Sequence, residues 1–122
     1  MVEKYQIRLD MRRYCLALDL IDDPFLIDQY IQYHKEVWPE IIDSIKQSGI
    51  HDMQIFNVTN RLFMIIEVEK SFSFEKKKKM DYQNPYVIKW EELMSKYQKK
   101  LPLAEQNEKW ILMDKVFDLK NH

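Results

Sequence analysis

Residues 50–69 read IHDMQIFNVTNRLFMIIEVE, and this stretch predicts a β-hairpin. Its arms, 50–58 and 61–69, are rich in β-branched and apolar side chains, and the short polar turn Thr59-Asn60 separates them. In the second arm every other residue is apolar and shares one face: Leu62, Met64, Ile66 and Val68. Because an apolar sheet face has to be covered, we expect helices to pack against it.

The residues before the hairpin predict one strand and then a helix. In residues 12–20 (RRYCLALDL) apolar residues alternate with polar or small ones, as in a strand that is covered on one face. The apolar positions are Tyr14, Leu16, Leu18 and Leu20. Asp23 and Pro24 are typical of a helix start, and the helix should continue to about Ser48, where Gly49 can adopt the left-handed cap. Pro39 lies inside this span and predicts either a bend at 37–40 or two shorter helices.

The residues after the hairpin predict a second helix and a final strand. The lysine run 76–79 suggests a basic binding patch or, more simply, the solvated face of a helix or loop. Asn84-Pro85 should open a long helix that Pro102 ends, with its apolar positions at helical spacing. Trp110–Leu119 alternates as the last strand.

The element order β, α, β, β, α, β predicts one α+β domain over residues 1–122, a ferredoxin-like plait. Such a plait has a four-stranded antiparallel sheet with two helices on one face. The other face would then be open, although it carries apolar side chains: Phe63, Ile65, Ile111, Met113 and Phe117. We therefore expect a homodimer that covers this face, as in a dimeric α+β barrel.

The composition excludes several classes of function. Nineteen Lys+Arg balance 20 Asp+Glu, which gives no field that would attract nucleic acid or a membrane surface. The single glycine rules out glycine-rich phosphate loops, and the single cysteine, Cys15, rules out an internal disulfide. With no apolar run of membrane-spanning length and no signal-peptide pattern, a cytoplasmic location is expected.

Residues 30–40, YIQYHKEVWPE, carry the candidate site. On a helix Tyr30, His34 and Trp38 follow one another at four-residue spacing and form one column. His34 then lies at the edge of the buried face, where it is either a hydrogen-bonded packing residue or part of a pocket for a small polar ligand. Trp90 is similarly either core or a pocket wall.

Little else in the chain suggests catalysis. The histidines are His34, His51 and His122, and neither they nor the other residues give a metal-ligand pattern, so no metal and no cofactor are expected. What remains is an imidazole that can exchange protons near neutral pH, with Tyr30 beside it and Trp38 and Trp90 as aromatic walls. Rings of this kind pack against the C–H faces of sugars, which favours a small carbohydrate.

Tyr-x-x-x-His followed by x-x-x-Trp-Pro-Glu, here Tyr30, His34, Trp38, Pro39 and Glu40, resembles the L-rhamnose mutarotase family. The likeness covers nearly the whole chain. It implies a cofactor-free sugar epimerase with a ferredoxin-like dimer, which interconverts the α and β anomers of L-rhamnose or a related 6-deoxyhexose such as L-fucose.

The resemblance also implies roles for individual residues. By position, His34 matches the family's proton donor, Tyr30 a substrate-binding tyrosine, and Trp90 the first of a tryptophan pair at the sugar site. The second tryptophan is replaced by Glu91 and a further binding tyrosine by Met53. Catalysis is thus expected from His34 and Tyr30, and these departures leave the preferred sugar open.

Two other functions fit the same pattern of residues. One is a cofactor-independent monooxygenase of the dimeric α+β barrel type, and the other is a sugar-binding module without activity.

Overall fold

Strand β1, Arg12–Leu20, lies inside an antiparallel sheet and pairs with strands on both sides. On one side it pairs with β3, Arg61–Val68, which pairs in turn with β2, Ile50–Val58. On the other side lie two short strands, β4 at Gln98–Lys99 and β5 at Ile111–Leu112. The predicted hairpin is confirmed, and the sheet has five strands where four were predicted.

The computed structural model describes residues 11–122. It contains helices α1, Pro24–Tyr33; α2, Pro39–Gln47; α3, Phe74–Tyr82; and α4, Pro85–Ser95. A short 3₁₀ helix, Leu119–Asn121, follows near the end. None of the helices in the described residues has the length and apolar character needed to cross a membrane. The fold class is therefore α+β with an antiparallel sheet, as predicted, but with four α-helices where two were expected.

Residues 1–10 are outside the described part of the chain. Two expectations reach into them: the N-terminal end of the 1–122 domain and the absence of a signal-peptide pattern.

Pro39 divides the first predicted helical region into α1 and α2, which was one of the two predicted outcomes. A residue that precedes proline is pushed out of the α region, and Trp38 has φ −55° and ψ 135°. Asp23 caps α1, since its Oδ1 accepts from the backbone N–H of Phe25 at 2.9 Å. Gly49 follows α2 at φ 95°, the left-handed conformation expected there.

The second long helix is shorter than predicted. Asn84 caps α4 as expected, but the helix ends at Ser95 and not before Pro102. Beyond it the Ile21 N–H donates to the Tyr97 carbonyl oxygen at 2.8 Å, and Gln98 pairs with Leu20. Pairing with the free edge of β1 therefore replaces the helical pattern of the sequence.

The last strand was predicted over Trp110–Leu119, and that prediction is wrong for most of its length. β5 covers Ile111–Leu112, and one more hydrogen bond, from the Met113 N–H to the Cys15 carbonyl oxygen at 2.8 Å, extends the pairing. Beyond it Val116 is 95% exposed, so no layer of the protomer buries the alternate side chains. Phe117 consequently lies outside the sheet, stacked on His122 with ring centroids 5.3 Å apart.

The core lies between the sheet and the helices. Leu18 and Leu20 of β1 have no exposed surface, and Leu62 of β3 is 1% exposed. These strand residues share one face because paired residues in an antiparallel sheet point the same way. The face predicted to meet the helices is thus the buried one, and the candidate site lies where α1 and α4 pack on it.

The lysine run 76–79 belongs to α3, where Lys77 pairs with Asp81 at 2.6 Å and Lys79 with Glu75 at 3.7 Å. Its simpler interpretation, a helix face, is therefore the one found.

Candidate active site

His34 is the C-cap residue of α1, and its imidazole is tied back to that helix. Its backbone N–H donates to the carbonyl oxygens of Tyr30 at 3.3 Å and Ile31 at 3.1 Å. Its side-chain Nδ1 lies 2.8 Å from the same Tyr30 oxygen. A carbonyl oxygen only accepts, so Nδ1 carries a proton, and in the neutral ring Nε2 carries the lone pair.

The surroundings of His34 favour the neutral ring. Desolvation in its half-buried position lowers the pKa of His34 below the usual value, and the hydrogen bond to the Tyr30 backbone opposes this only in part. A helix C-terminus also favours the cation, so burial is the stronger effect. Near neutral pH the side chain is therefore a base with Nε2 free.

Three further rings gather around His34, and we call these four residues, Tyr30, His34, Trp38 and Trp90, the ring cluster. The ring centroids of Tyr30 and His34 are 4.3 Å apart, and those of His34 and Trp90 are 5.6 Å apart. Trp38 packs edge to face on Trp90 at 5.1 Å.

The predicted helical column of three rings is wrong in one member. Trp38 precedes α2 and does not continue α1, because Pro39 breaks the helix before that turn. Trp38 is nevertheless near the site, since Trp90 of α4 contacts both it and His34. The column is therefore a cluster centred on Trp90.

Tyr30 is almost wholly enclosed, at 3% exposed. Burial raises the pKa of Tyr30 to about 12, the Gln98 side chain opposes the rise, and the charge of Glu91 adds to it. The phenol therefore keeps its proton across the neutral range. As an acid it is weak, but it can donate a hydrogen bond.

The two positions that depart from the family pattern lie differently. Met53 of β2 stands opposite Ile66 and packs in a second core cluster with Ile50 and Val68, apart from the ring cluster. Glu91 adjoins Trp90 on α4, and its carboxylate pairs with Lys109 at 3.0 Å. Neither position supplies an aromatic wall.

Sequence reasoning missed Gln98 and Lys109. Gln98 comes next to Tyr30 only because β4 pairs with β1, and its position was predicted to be helical. The Lys109 Nζ donates to the Glu91 carbonyl oxygen at 3.2 Å and to the Ser95 hydroxyl at 2.6 Å, which fastens the loop before β5 to α4. No local signal marks either residue, because both contacts join distant parts of the chain.

The ring cluster does not line either of two surface hollows. One, of about 460 Å³, lies between α2 and the α3–α4 connection, and the other, of about 250 Å³, is formed by residues 115–122. The pocket expected around His34 is thus neither of these, and His34 meets solvent as a half-buried side chain. Within residues 11–122 no three His, Cys, Asp or Glu residues group as metal ligands.

The chain is similar to known proteins along nearly its full length. The family model described as L-rhamnose mutarotase matches residues 13–119. An L-fucose mutarotase of Xanthomonas campestris pv. campestris is 39% identical over 113 residues, which is 91% of this chain and 90% of that protein. An L-rhamnose mutarotase of Burkholderia ambifaria is 32% identical over 57 residues, 45% of this chain and 55% of that protein.

A solved structure supports the fold independently. The crystal structure of an L-rhamnose mutarotase from Formosa agariphila matches with a TM-score of 0.66 at 23% identity, over 88% of this chain and 98% of that one. These matches favour the mutarotase interpretation over a monooxygenase or an inactive binding module. The chain belongs to the L-rhamnose mutarotase family, whose members are isomerases that interconvert sugar anomers.

Proposed function

We propose that this protein interconverts the α and β anomers of a 6-deoxy-L-hexose, with His34 as the proton-transfer residue. The observation that carries the proposal is the 2.8 Å contact from Nδ1 to the Tyr30 carbonyl oxygen. It fixes the proton on Nδ1 and leaves Nε2 as the basic atom. This atom lies beside the other rings of the cluster, whose family-matching positions include Tyr30 and Trp90.

The reaction passes through the open aldehyde. On ring closure Nε2 of His34 takes the proton of the C5 hydroxyl. At the same time the oxygen of that hydroxyl forms a bond to C1. The electron pair of the C1 carbonyl moves onto the carbonyl oxygen, which takes a proton from solvent water and becomes the anomeric hydroxyl. Ring opening is the reverse, with the His34 imidazolium returning its proton to the ring oxygen, and rotation about C1–C2 between the two steps exchanges the anomers.

The pKa of His34 suits this exchange. Because burial lowers it, the base form predominates near neutrality, and the imidazolium, once formed, gives its proton back readily. Proton transfer of this kind contributes roughly 10²- to 10⁴-fold. That range is sufficient for a reaction that also proceeds unaided.

The other members of the ring cluster would hold the sugar. Tyr30 keeps its proton and so donates a hydrogen bond to a sugar oxygen, and does not act as a second base. Trp38 and Trp90 offer ring surface for the apolar face of the sugar. Glu91, paired with Lys109, would meet the sugar as a hydrogen-bond acceptor at the edge of the site. Met53 would contribute through packing, from the second core cluster.

L-fucose is the sugar we expect to be preferred over L-rhamnose. The relative named L-fucose mutarotase aligns over 91% of this chain, whereas the Burkholderia relative named for L-rhamnose aligns over 45%. The two departures, Met53 and Glu91, also change positions that the L-rhamnose pattern fills with aromatic residues.

The test is anomer exchange measured by saturation-transfer NMR with L-fucose and L-rhamnose in separate tubes. Wild type should exchange L-fucose anomers well above the buffer rate, and His34→Gln should reduce that gain by roughly 100-fold or more. His51→Gln is the matched control, since His51 is an exposed histidine on β2 whose contact is Glu69 at 3.4 Å. If His34→Gln exchanged anomers as fast as wild type, the assignment of His34 would be wrong.

We further propose a ferredoxin-like plait that dimerises through the open sheet face into an α+β barrel. Cross-strand pairing aligns Phe56, Phe63, Ala17 and Ile111 in one row on that face. Phe56 is 53% exposed, which is costly for a phenyl ring in a monomer. Ion pairs lie on both sides of this apolar row, Arg13–Glu67 at 2.7 Å and Arg61–Asp19 at 2.7 Å, as a polar rim surrounds an interface core.

The cellular location remains the sequence-based prediction of the cytoplasm, which the lone Cys15 in its thiol form fits.

A further inference from the structure

Gln98 of β4 places its side chain on the covered face of the sheet, next to Tyr30. It pairs with Leu20, which has no exposed surface and belongs to the same core cluster as Tyr30. Paired residues of antiparallel strands point to the same side, so the Gln98 carboxamide points towards the helices and not towards water.

One atom of this carboxamide is unused. Among the side chains of residues 11–122, Gln98 Oε1 is a buried polar atom without a hydrogen-bond partner. A buried amide oxygen in this state destabilises the fold, and folded proteins contain few of them. A group that lowers stability without a structural contact is a candidate for binding a ligand.

The neighbouring phenol supplies the complementary group. The Gln98 amide opposes the rise in the pKa of Tyr30, as an N–H group facing a phenol oxygen does. The Tyr30 hydroxyl can donate a hydrogen bond, and Gln98 Oε1, which has no partner, can accept one. A sugar hydroxyl, which donates one hydrogen bond and accepts others, matches both groups at once.

We propose that Gln98 and Tyr30 together bind one ring hydroxyl of the sugar, Oε1 accepting from it and the phenol donating to it. Gln98 is then a substrate-binding residue that favours a hydroxyl over a hydrogen or a methyl group at that carbon. This inference rests on the proposed function. It adds a residue from a different element to a site so far built from α1, α4 and the segment that precedes α2.

The test compares Gln98→Met with Gln32→Met. Methionine matches glutamine in length and lacks its polar atoms, and Gln32 is an exposed glutamine on α1. Because Gln98→Met removes a buried amide oxygen that has no partner, we expect its thermal midpoint to stay close to that of wild type. Its kcat/KM for L-fucose should fall roughly 10-fold or more, chiefly through KM. Gln32→Met should match wild type in both measurements.

Sugars that lack one hydroxyl identify the contact. The 2-, 3- and 4-deoxy derivatives of L-fucose are measured with wild type and with Gln98→Met by the same NMR exchange. For one of these derivatives the kcat/KM of wild type should be roughly 10-fold lower than for L-fucose. The kcat/KM of Gln98→Met, already reduced for L-fucose, should fall little further with that derivative. That non-additivity is the result expected of a direct contact, and a packing role would not produce it.

Two outcomes would overturn the inference. The first is an unchanged kcat/KM in Gln98→Met, which would mean that the sugar does not contact Oε1. The second is a thermal midpoint several degrees lower in both Gln98→Met and Gln98→Leu, which would mean that the carboxamide serves the fold. If wild type itself exchanges neither sugar, the proposed function fails first; if wild type is active and Gln98→Met equals it, only the role of Gln98 fails.

Discussion

The two faces of the sheet are both apolar, yet only one is closed within the protomer. On the covered face Leu18 and Leu20 are 0% exposed, and the ring cluster is built on the helices that pack there. On the open face Phe56 is 53% and Met113 45% exposed. The covered face therefore contains the core and the candidate site, and the open face is the surface that we propose a second copy of the chain covers.

A first prediction breaks the covered face at Trp90. This residue is 6% exposed and contacts both His34 and Trp38. Trp90→Ala should lower the free energy of unfolding by about 3–5 kcal/mol and abolish anomer exchange, because the cavity removes the support of the imidazole. Chemical denaturation and NMR exchange measure the two effects. Trp90→Phe, which keeps a ring, should retain most of the stability, and equal losses in both variants would contradict a packing role.

A second prediction breaks the open face at Phe63, which stands opposite both Ala17 and Phe56. Phe63→Lys places a charge in the middle of the proposed interface, so the dimer should dissociate while the circular dichroism spectrum stays that of the folded chain. Sedimentation velocity gives the oligomeric state. Phe25→Lys, at a 67% exposed position on α1, should remain dimeric. A wild-type protein that sediments as a monomer would refute the interface.

A third prediction concerns the pH dependence of stability, which should reflect the covered face because His34 lies there. Its pKa is lowered in the folded state, so between that value and the unfolded value of about 6.5 the unfolded chain binds more protons. The stability supplied by neutral His34 is therefore complete above about pH 6.5 and is lost as the pH falls through that value towards the folded pKa.

Denaturation curves from about pH 5 to pH 8 test this, with His34→Gln as the reference that leaves the other histidines in place. The free energy of unfolding should rise more steeply with pH in wild type than in His34→Gln. kcat/KM should also fall as the pH rises through the folded pKa of His34, with a midpoint below about pH 6.5, because ring opening of the closed sugar needs the imidazolium as proton donor. A midpoint above about pH 6.5 would place the pKa shift of His34 in the opposite direction.

The sequence predicted those features that depend on residues near one another in the chain. Asp23, Pro39 and Asn84 determine helix starts through capping groups or a missing N–H, and Tyr30 and His34 meet because they are one helical turn apart. The end of α4 and the short β5 depend on which segments pair with the edge of β1. For the same reason Gln98, brought to Tyr30 by that pairing, could not be found from its neighbours in sequence.

The smallest effect on stability is expected at Thr59, which lies in the turn that joins β2 to β3 and belongs to neither face of the sheet. Thr59 has φ 50°, a conformation that is strained for a β-branched residue, and the adjacent Asn60 accepts from the Leu20 N–H at 2.6 Å. Thr59→Gly should raise the free energy of unfolding by about 0.5–1 kcal/mol, since relief of the left-handed strain outweighs the added freedom of the unfolded chain. Thr59→Val keeps the branch and should bring no gain. Because Thr59 belongs to neither the ring cluster nor the apolar row, anomer exchange and oligomeric state should stay unchanged in both variants. A change in either property would mean that the two faces are coupled through the hairpin and do not act separately.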